Sequence, residues 1–375
     1  MIGFELVKAY AFSAPIVCAL VCMGMMMMDA VRYRRNTQEK RLRLFLALTY
    51  IVTSLGWLGL VLYAVDPWAY VCYHPVFLLT LMLDQVMFYR FVSVITNTES
   101  SSGFNKLHWV VPLFITASFT LSDMEVPVER QLSVIYGDAM WTHVTWFNVA
   151  YTTTTIIFIV YNTLYPLLNL LNIRRYRRFI VNYSSDAQRT SLGWLAVMQA
   201  LILVSVPIPL AGLLLNIQVF STFGFIWFGA LPTFVFYLVL CYNMLDDNYL
   251  IIQPETPEEE ISTSKATLID RKHFVRYLRE KKPYLDPKLR ITDLAVGLHT
   301  NRSYLSAFIN REYGMNFSRL INRCRLIALD RLRLAPENAG KSNIDLVLMA
   351  GFSGYRNYLR VKTEEDKLTL LKFGQ

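Results

Sequence analysis

Apolar residues fill the first two thirds of this chain in runs about as long as a membrane is thick, and recur over the last third at helical spacing with polar faces between them. A helix needs about 20 residues to cross the ~30 Å hydrocarbon core. Seven runs meet or approach that length: Val7 to Val31, Leu42 to Val65, Val71 to Thr96, Leu107 to Ser122, Met140 to Ile173, Ser191 to Ile217 and Val219 to Leu245. The fourth is short and the fifth long. The pattern predicts an all-α chain with a polytopic bundle of about seven transmembrane helices over residues 1–245, followed by a small helical domain over 263–375.

Between these parts lies DDNYLIIQPETPEEEIS, whose prolines and acidic run read as a linker over 246–262. A flexible chain of this length averages about 25 Å end to end and stretches further, so a domain tethered by it can still meet a DNA duplex.

Charge in the connecting loops sets an orientation, because Lys and Arg in short loops stay on the cytoplasmic side. Loop one holds Arg32, Arg34, Arg35, Lys40, Arg41 and Arg43, loop three holds Lys106, and loop five holds Arg174, Arg175, Arg177, Arg178 and Arg189. The alternate loops hold only Arg130, among Asp66, Asp123, Glu125, Glu129 and Asp138. The expectation is a multi-pass protein of the cell's inner, cytoplasmic membrane, with its N-terminus outside and its C-terminal domain in the cytoplasm. An odd number of spans agrees with it.

In the tail, Ile291, Leu294, Ala295 and Leu298 make one apolar face, Asn301 is a good N-cap, and Leu305, Phe308 and Ile309 make the next face. Two short helices joined by a brief turn follow the helix-turn-helix plan. Arg302, Ser303, Ser306 and Asn310 fall on the outer face of the second helix, where Arg and Asn can pair bidentately with guanine or adenine.

With these residues the last 110 or so resemble the AraC/XylS family of bacterial regulators. The parts recur in order: Leu294 and Ala295 with NRSYLSAFINREYG at 301–314, FSRLINRCRLIALDRL at 317–332, and AGFSGYRNYLRV at 350–361. The middle stretch looks like the family's linker helix, with Arg325 and Ala328 at its core positions. The resemblance implies two helix-turn-helix units entering successive major grooves of double-stranded DNA. Tyr355, Arg356, Asn357 and Arg360 would then be the second base-reading set, and Arg311, Arg319, Arg323 and Arg331 would touch phosphates. The chain departs from the family pattern at Val347, Lys362, Lys367 and Leu370. By that pattern Lys362 falls on the inner face of the last helix.

Charge agrees with this picture. Residues 261–375 hold 22 Lys/Arg against 11 Asp/Glu, whereas residues 246–260 hold none against 6. A domain so basic suits a polyanion. Five cysteines, Cys18, Cys22, Cys72, Cys241 and Cys324, show no metal spacing, and the five histidines, with His143 read as interfacial, form no catalytic set. Neither an enzyme activity, nor a metal, nor a cofactor is expected. Ionisable groups inside a span point to function, which makes Asp84 and Arg90 candidate signal-sensing residues for an unknown small molecule. Six residues apart, they lie on different helix faces and need separate partners. The alternatives are spans that only anchor the tail, or a receptor- or transporter-like module whose basic tail binds something other than DNA. The linker shows no heptads, which leaves any homodimer to the spans or the DNA site.

Overall fold

The computed structural model describes residues 2–33, 37–97, 104–136, 145–187, 189–205, 229–252 and 269–373. The linker from residue 253, His143, and residues 206–228, which cover the end of the sixth apolar run and the start of the seventh, lie outside the described residues. Among the described residues the fold is all helical: α1 Ile2–Ala30, α2 Thr37–Val65, α3 Pro67–Thr96, α4 Leu107–Met124, α5 Val128–Ile135, α6 Trp146–Ile180, α7 Gly193–Ser205, α8 Leu231–Leu245, α9 Arg271–Lys281, α10 Ile291–Gly297, α11 Arg302–Tyr313, α12 Phe317–Leu334, α13 Asn343–Met349 and α14 Tyr355–Phe373.

The chain divides into two compact units. The first comprises essentially the residues up to Ile173 together with Gly193–Ile251. Four of its helices contain segments long and apolar enough to cross a membrane, at Val7–Ala30, Gln38–Val65, Pro67–Thr96 and Trp146–Ile180; α7 and α8 are shorter apolar helices. Asp66 starts α3 by accepting from the amides of Trp68 and Ala69 at 3.1 and 3.0 Å, with Pro67 at the first helical position. Close approach of α2 and α3 depends on Gly59, where any Cβ would collide with the Phe77 ring.

At one end of this unit the fully buried Arg43 ties three stretches of chain together. Its guanidinium meets Asp29 at 2.6 Å, Glu39 at 2.7 Å and Asp247 at 2.9 Å, and donates to the hydroxyls of Tyr249 and Tyr33 at 2.6 and 2.9 Å. Several acceptors around one guanidinium make its burial tolerable. Position alone made Arg43 one more charge of loop one; the structure makes it the polar centre of that end.

The second unit joins the tail, from Ile252 on, to Arg174–Leu192, a segment from between two apolar runs. The α6 helix continues to Ile180 rather than ending at Ile173, so four of the arginines assigned to loop five are helical. Beyond it, the backbone is stitched into the tail. The Val181 carbonyl accepts from the Ser318 amide at 3.0 Å, the Tyr183 carbonyl accepts from Ile291 at 2.9 Å, and the Ser185 amide donates to Leu289 at 3.0 Å.

Phe274 packs edge-on against Phe308 at 5.4 Å, and Leu294, Leu305 and Ile309 are buried. A second cluster joins Leu329, Leu346, Val347, Ala350, Phe352, Tyr358 and Val361. Val347 thus fills a core position despite departing from the family pattern. Lys362 does not occupy the inner face: Val361, three residues after Tyr358, takes that place, and Lys362 is exposed. The reason is helical register, since positions three apart share a face.

Candidate functional site

Two short helix pairs in the second unit present the predicted reading residues. In the first, α10 and α11 are separated by a turn in which His299 adopts φ 53°, and the Asn301 side chain caps α11 by accepting from the Tyr304 amide at 2.6 Å. Ser303, Asn310 and Arg311 are exposed, and Ser306 is half-buried. Asn310 donates to the Ser306 carbonyl at 2.9 Å, and Arg311 pairs with Glu312 at 3.1 Å. In the second pair, Ser342 caps α13 by accepting from the Asp345 amide at 3.2 Å. Gly351 then turns the chain with φ 92°, where a Cβ would strike the backbone of Tyr284 and Leu285. Arg356 and Arg360 are exposed and Tyr355 is half-buried.

The linking helix α12 is held by Arg325, which is wholly buried and, among the described residues, binds no carboxylate. It donates instead to the carbonyls of Tyr284 at 2.8 Å and Asp286 at 2.7 Å, to the Ser185 hydroxyl at 2.9 Å and carbonyl at 3.4 Å, and to Asn322 Oδ1 at 3.0 Å. Burial pulls its pKa down to about 10, against the smaller opposing pull of Asp186 and Asp286. At neutral pH it remains a cation. Burial likewise pushes the neighbouring Cys324 thiol up to about 11, so it is a packing group and not a reactive thiolate.

Several predicted DNA contacts are already engaged within this unit. The Asn357 side chain donates to Asp186 Oδ1 and to the Ser353 hydroxyl, both at 3.0 Å. Arg302 lies 5.0 Å over the Phe179 ring. Glu365 takes two of the predicted phosphate arginines, Arg319 at 2.7 Å and Arg323 at 2.8 Å. Burial alone would raise the Glu365 carboxyl, but the hydrogen bonds from these arginines outweigh it and hold it below its ordinary value. Beside them a cleft of about 400 Å³ is lined by Arg177, Arg360, Glu364 and Glu365 among others. Arg331 is exposed on α12. Sequence reasoning missed Asp186 and Glu365; the first was visible as the only acid in an arginine-rich loop.

In the first unit, Asp84 and Arg90 have separate partners, as their spacing requires. Asp84 Oδ1 accepts from the Thr53 hydroxyl, and Arg90 lies 5.0 Å over the Phe104 ring. Asp84 faces a cavity of about 170 Å³ bounded by residues of α2, α3, α6, α7 and α8. Its walls are rich in aromatic residues, Trp57, Tyr70, Phe88 and Tyr237 among them, with Gln85, Asn162 and Gln199 adding amides. Gln85 donates to Asn162 at 3.2 Å, and Asn169 donates to Gln199 at 2.9 Å. Among the described residues no group of His, Cys, Asp and Glu could hold a metal ion. Comparison with family profiles, with curated proteins and with solved structures finds no match to this chain.

Proposed function

We propose that this chain is a membrane-embedded, sequence-specific DNA-binding regulator of the AraC/XylS type, with its N-terminus outside and its tail in the cytoplasm. The observation that supports this most strongly is the pair of short helix pairs joined by α12. Each has a packed inner face, a capped second or first helix, and an outer face rich in Arg, Asn and Ser. In this reading α11 and α14 enter successive major grooves, with Arg302, Ser303, Ser306, Asn310, Tyr355, Arg356, Asn357 and Arg360 toward bases and Arg311, Arg319, Arg323 and Arg331 toward phosphates.

The described conformation is the held form of this regulator. Asp186, Phe179 and Glu365 engage groups that DNA would need, and DNA must exchange those contacts for its own. A signal received by the membrane bundle acts by favouring one of the two forms.

The test is a binding-site selection from random duplex DNA using full-length protein in nanodiscs. A fragment beginning at Ile261 would lack Ser185 and Asp186, and so is the wrong reagent. Enriched sites with two conserved half-sites about one helical turn apart are expected. Recovery of no duplex above an empty-nanodisc control would reject the reading. Reporter fusions check the topology: one after Asp66 behaves as extracytoplasmic and one after Thr37 as cytoplasmic.

A further inference from the structure

A carboxylate inside an apolar bundle is costly unless something compensates it. Among the described residues that line the cavity, Asp84 is the only Asp or Glu and none is a Lys or Arg. Among the described residues its one hydrogen bond comes from a neutral hydroxyl, that of Thr53. Across the described residues, Arg90 is turned to Phe104 and Arg43 to Asp29, Glu39 and Asp247, so neither serves as its counter-ion.

A second, independent feature points to an occupant. Gln199 also lines the cavity and is 1% exposed, yet among the described residues its Nε2 has no hydrogen-bond partner. Its Oε1 is taken by Asn169, whose own Oδ1 is likewise unpartnered. A buried amide half-satisfied in this way costs free energy that a ligand's polar atom can recover.

The walls complete the chemistry. Tyr50, Trp57, Tyr70, Phe88, Phe236 and Tyr237 surround the space, and aromatic faces attract cations as well as apolar bodies. An anion at one point, aromatic faces around it, and an open amide elsewhere suit an organic ammonium ion better than an anion or a plain hydrocarbon.

We propose that this cavity binds a small organic amine, with its ammonium on Asp84, its apolar body against the aromatic walls, and a polar substituent at Gln199. The proposal deepens the sensing half of the function above by naming the class of signal. Its test involves no DNA, and either can fail without the other.

Full-length protein in nanodiscs is melted with millimolar phenethylamine, tyramine or choline, and with neutral counterparts of the first two, 2-phenylethanol and tyrosol. At least one amine should raise the melting temperature dose-dependently, with its neutral counterpart inert where one is tested. Asp84→Asn keeps an oxygen for Thr53 and should weaken the amine about tenfold or more, the size of a charge-assisted hydrogen bond, without lowering the unliganded melting temperature. Gln199→Leu should weaken tyramine more than phenethylamine. Equal shifts from amine and alcohol, shifts from sodium alone, or no shift from any of the amines would overturn the proposal. The amine and alcohol comparison needs no variant, so it decides even if Asp84→Asn fails to fold.

Discussion

Asn357 and Asp186 are 171 positions apart in sequence and joined by a single 3.0 Å hydrogen bond, from the amide of a predicted base reader to a buried carboxylate on the segment that follows α6. While that bond stands, the Asn357 amide cannot also pair with an adenine edge. Removing the acceptor should therefore release a reading residue. In full-length protein, Asp186→Ala should tighten binding to the selected site by about 2- to 10-fold, since a net hydrogen bond is worth ~0.5–1.5 kcal/mol. Asp186→Asn keeps an acceptor oxygen and should change little. Fluorescence anisotropy with labelled duplex reads both, and unchanged or weaker binding by Asp186→Ala would show that the bond does not hold the reader back.

Glu365 restrains two arginines in the same way. Glu365→Gln should free Arg319 and Arg323 for phosphate and steepen the log affinity against log salt slope by about 1 to 2 units, at roughly 0.9 per added contact. The same residue gives a pH dependence. Its carboxyl is held below the ordinary glutamate value of about 4.3. An acid so lowered stabilises the fold above that value, and the contribution disappears as pH falls through the lowered value. Melting curves of wild type and Glu365→Gln should converge in acid and separate above about pH 5. Curves that stay parallel at every pH would count against the ion pair.

Arg302 and Arg331 separate specificity from charge. Arg302→Ala should cost ~1–3 kcal/mol on the selected site and much less on random duplex. Arg331→Ala, on an exposed position of α12, should weaken both equally. If the two variants behave alike in a competition assay, Arg302 is not a base reader.

Arg43 tests the membrane unit. Replacing it with Ala leaves Asp29, Glu39 and Asp247 facing one another, with Asp29 buried, and breaking a buried pair typically costs about 3–5 kcal/mol. The variant should melt well below wild type, and Arg43→Lys should recover only part of the loss, because one ammonium cannot reach three carboxylates and two phenols. A melt unchanged by Arg43→Ala would mean that this end is solvated.

Periodicity revealed the helices of the tail and most of the long apolar ones, because both spacings are local properties of the chain. Asn301 could be recognised as a cap for the same reason. Arg43 could not be read correctly: a basic residue at the start of an apolar run looks solvated, and only the return of Asp247 and Tyr249 from some 200 residues away closes a shell around it. Lys362 was misplaced because a family pattern fixes a register that one residue's shift reverses, and Val361 won the inner position on hydrophobicity. The Asp84 carboxylate was conspicuous in sequence. The aromatic walls facing it were not, since they come from four helices whose residues align only in space.

Arg325 has a consequence for how the protein can be used by a cell. The acceptors that satisfy its buried cation come partly from Ser185, which is synthesised long before α12 and lies between two apolar runs. Proteolytic release of the tail would leave the two Ser185 acceptors behind and keep only Tyr284, Asp286 and Asn322 around the buried cation. If the tail binds DNA as proposed, cutting and diffusion to a distant promoter would thus be a poor route for this protein. Under the proposed function its target sequence would have to come to the membrane, and the position of that target along the chromosome would become part of the regulation.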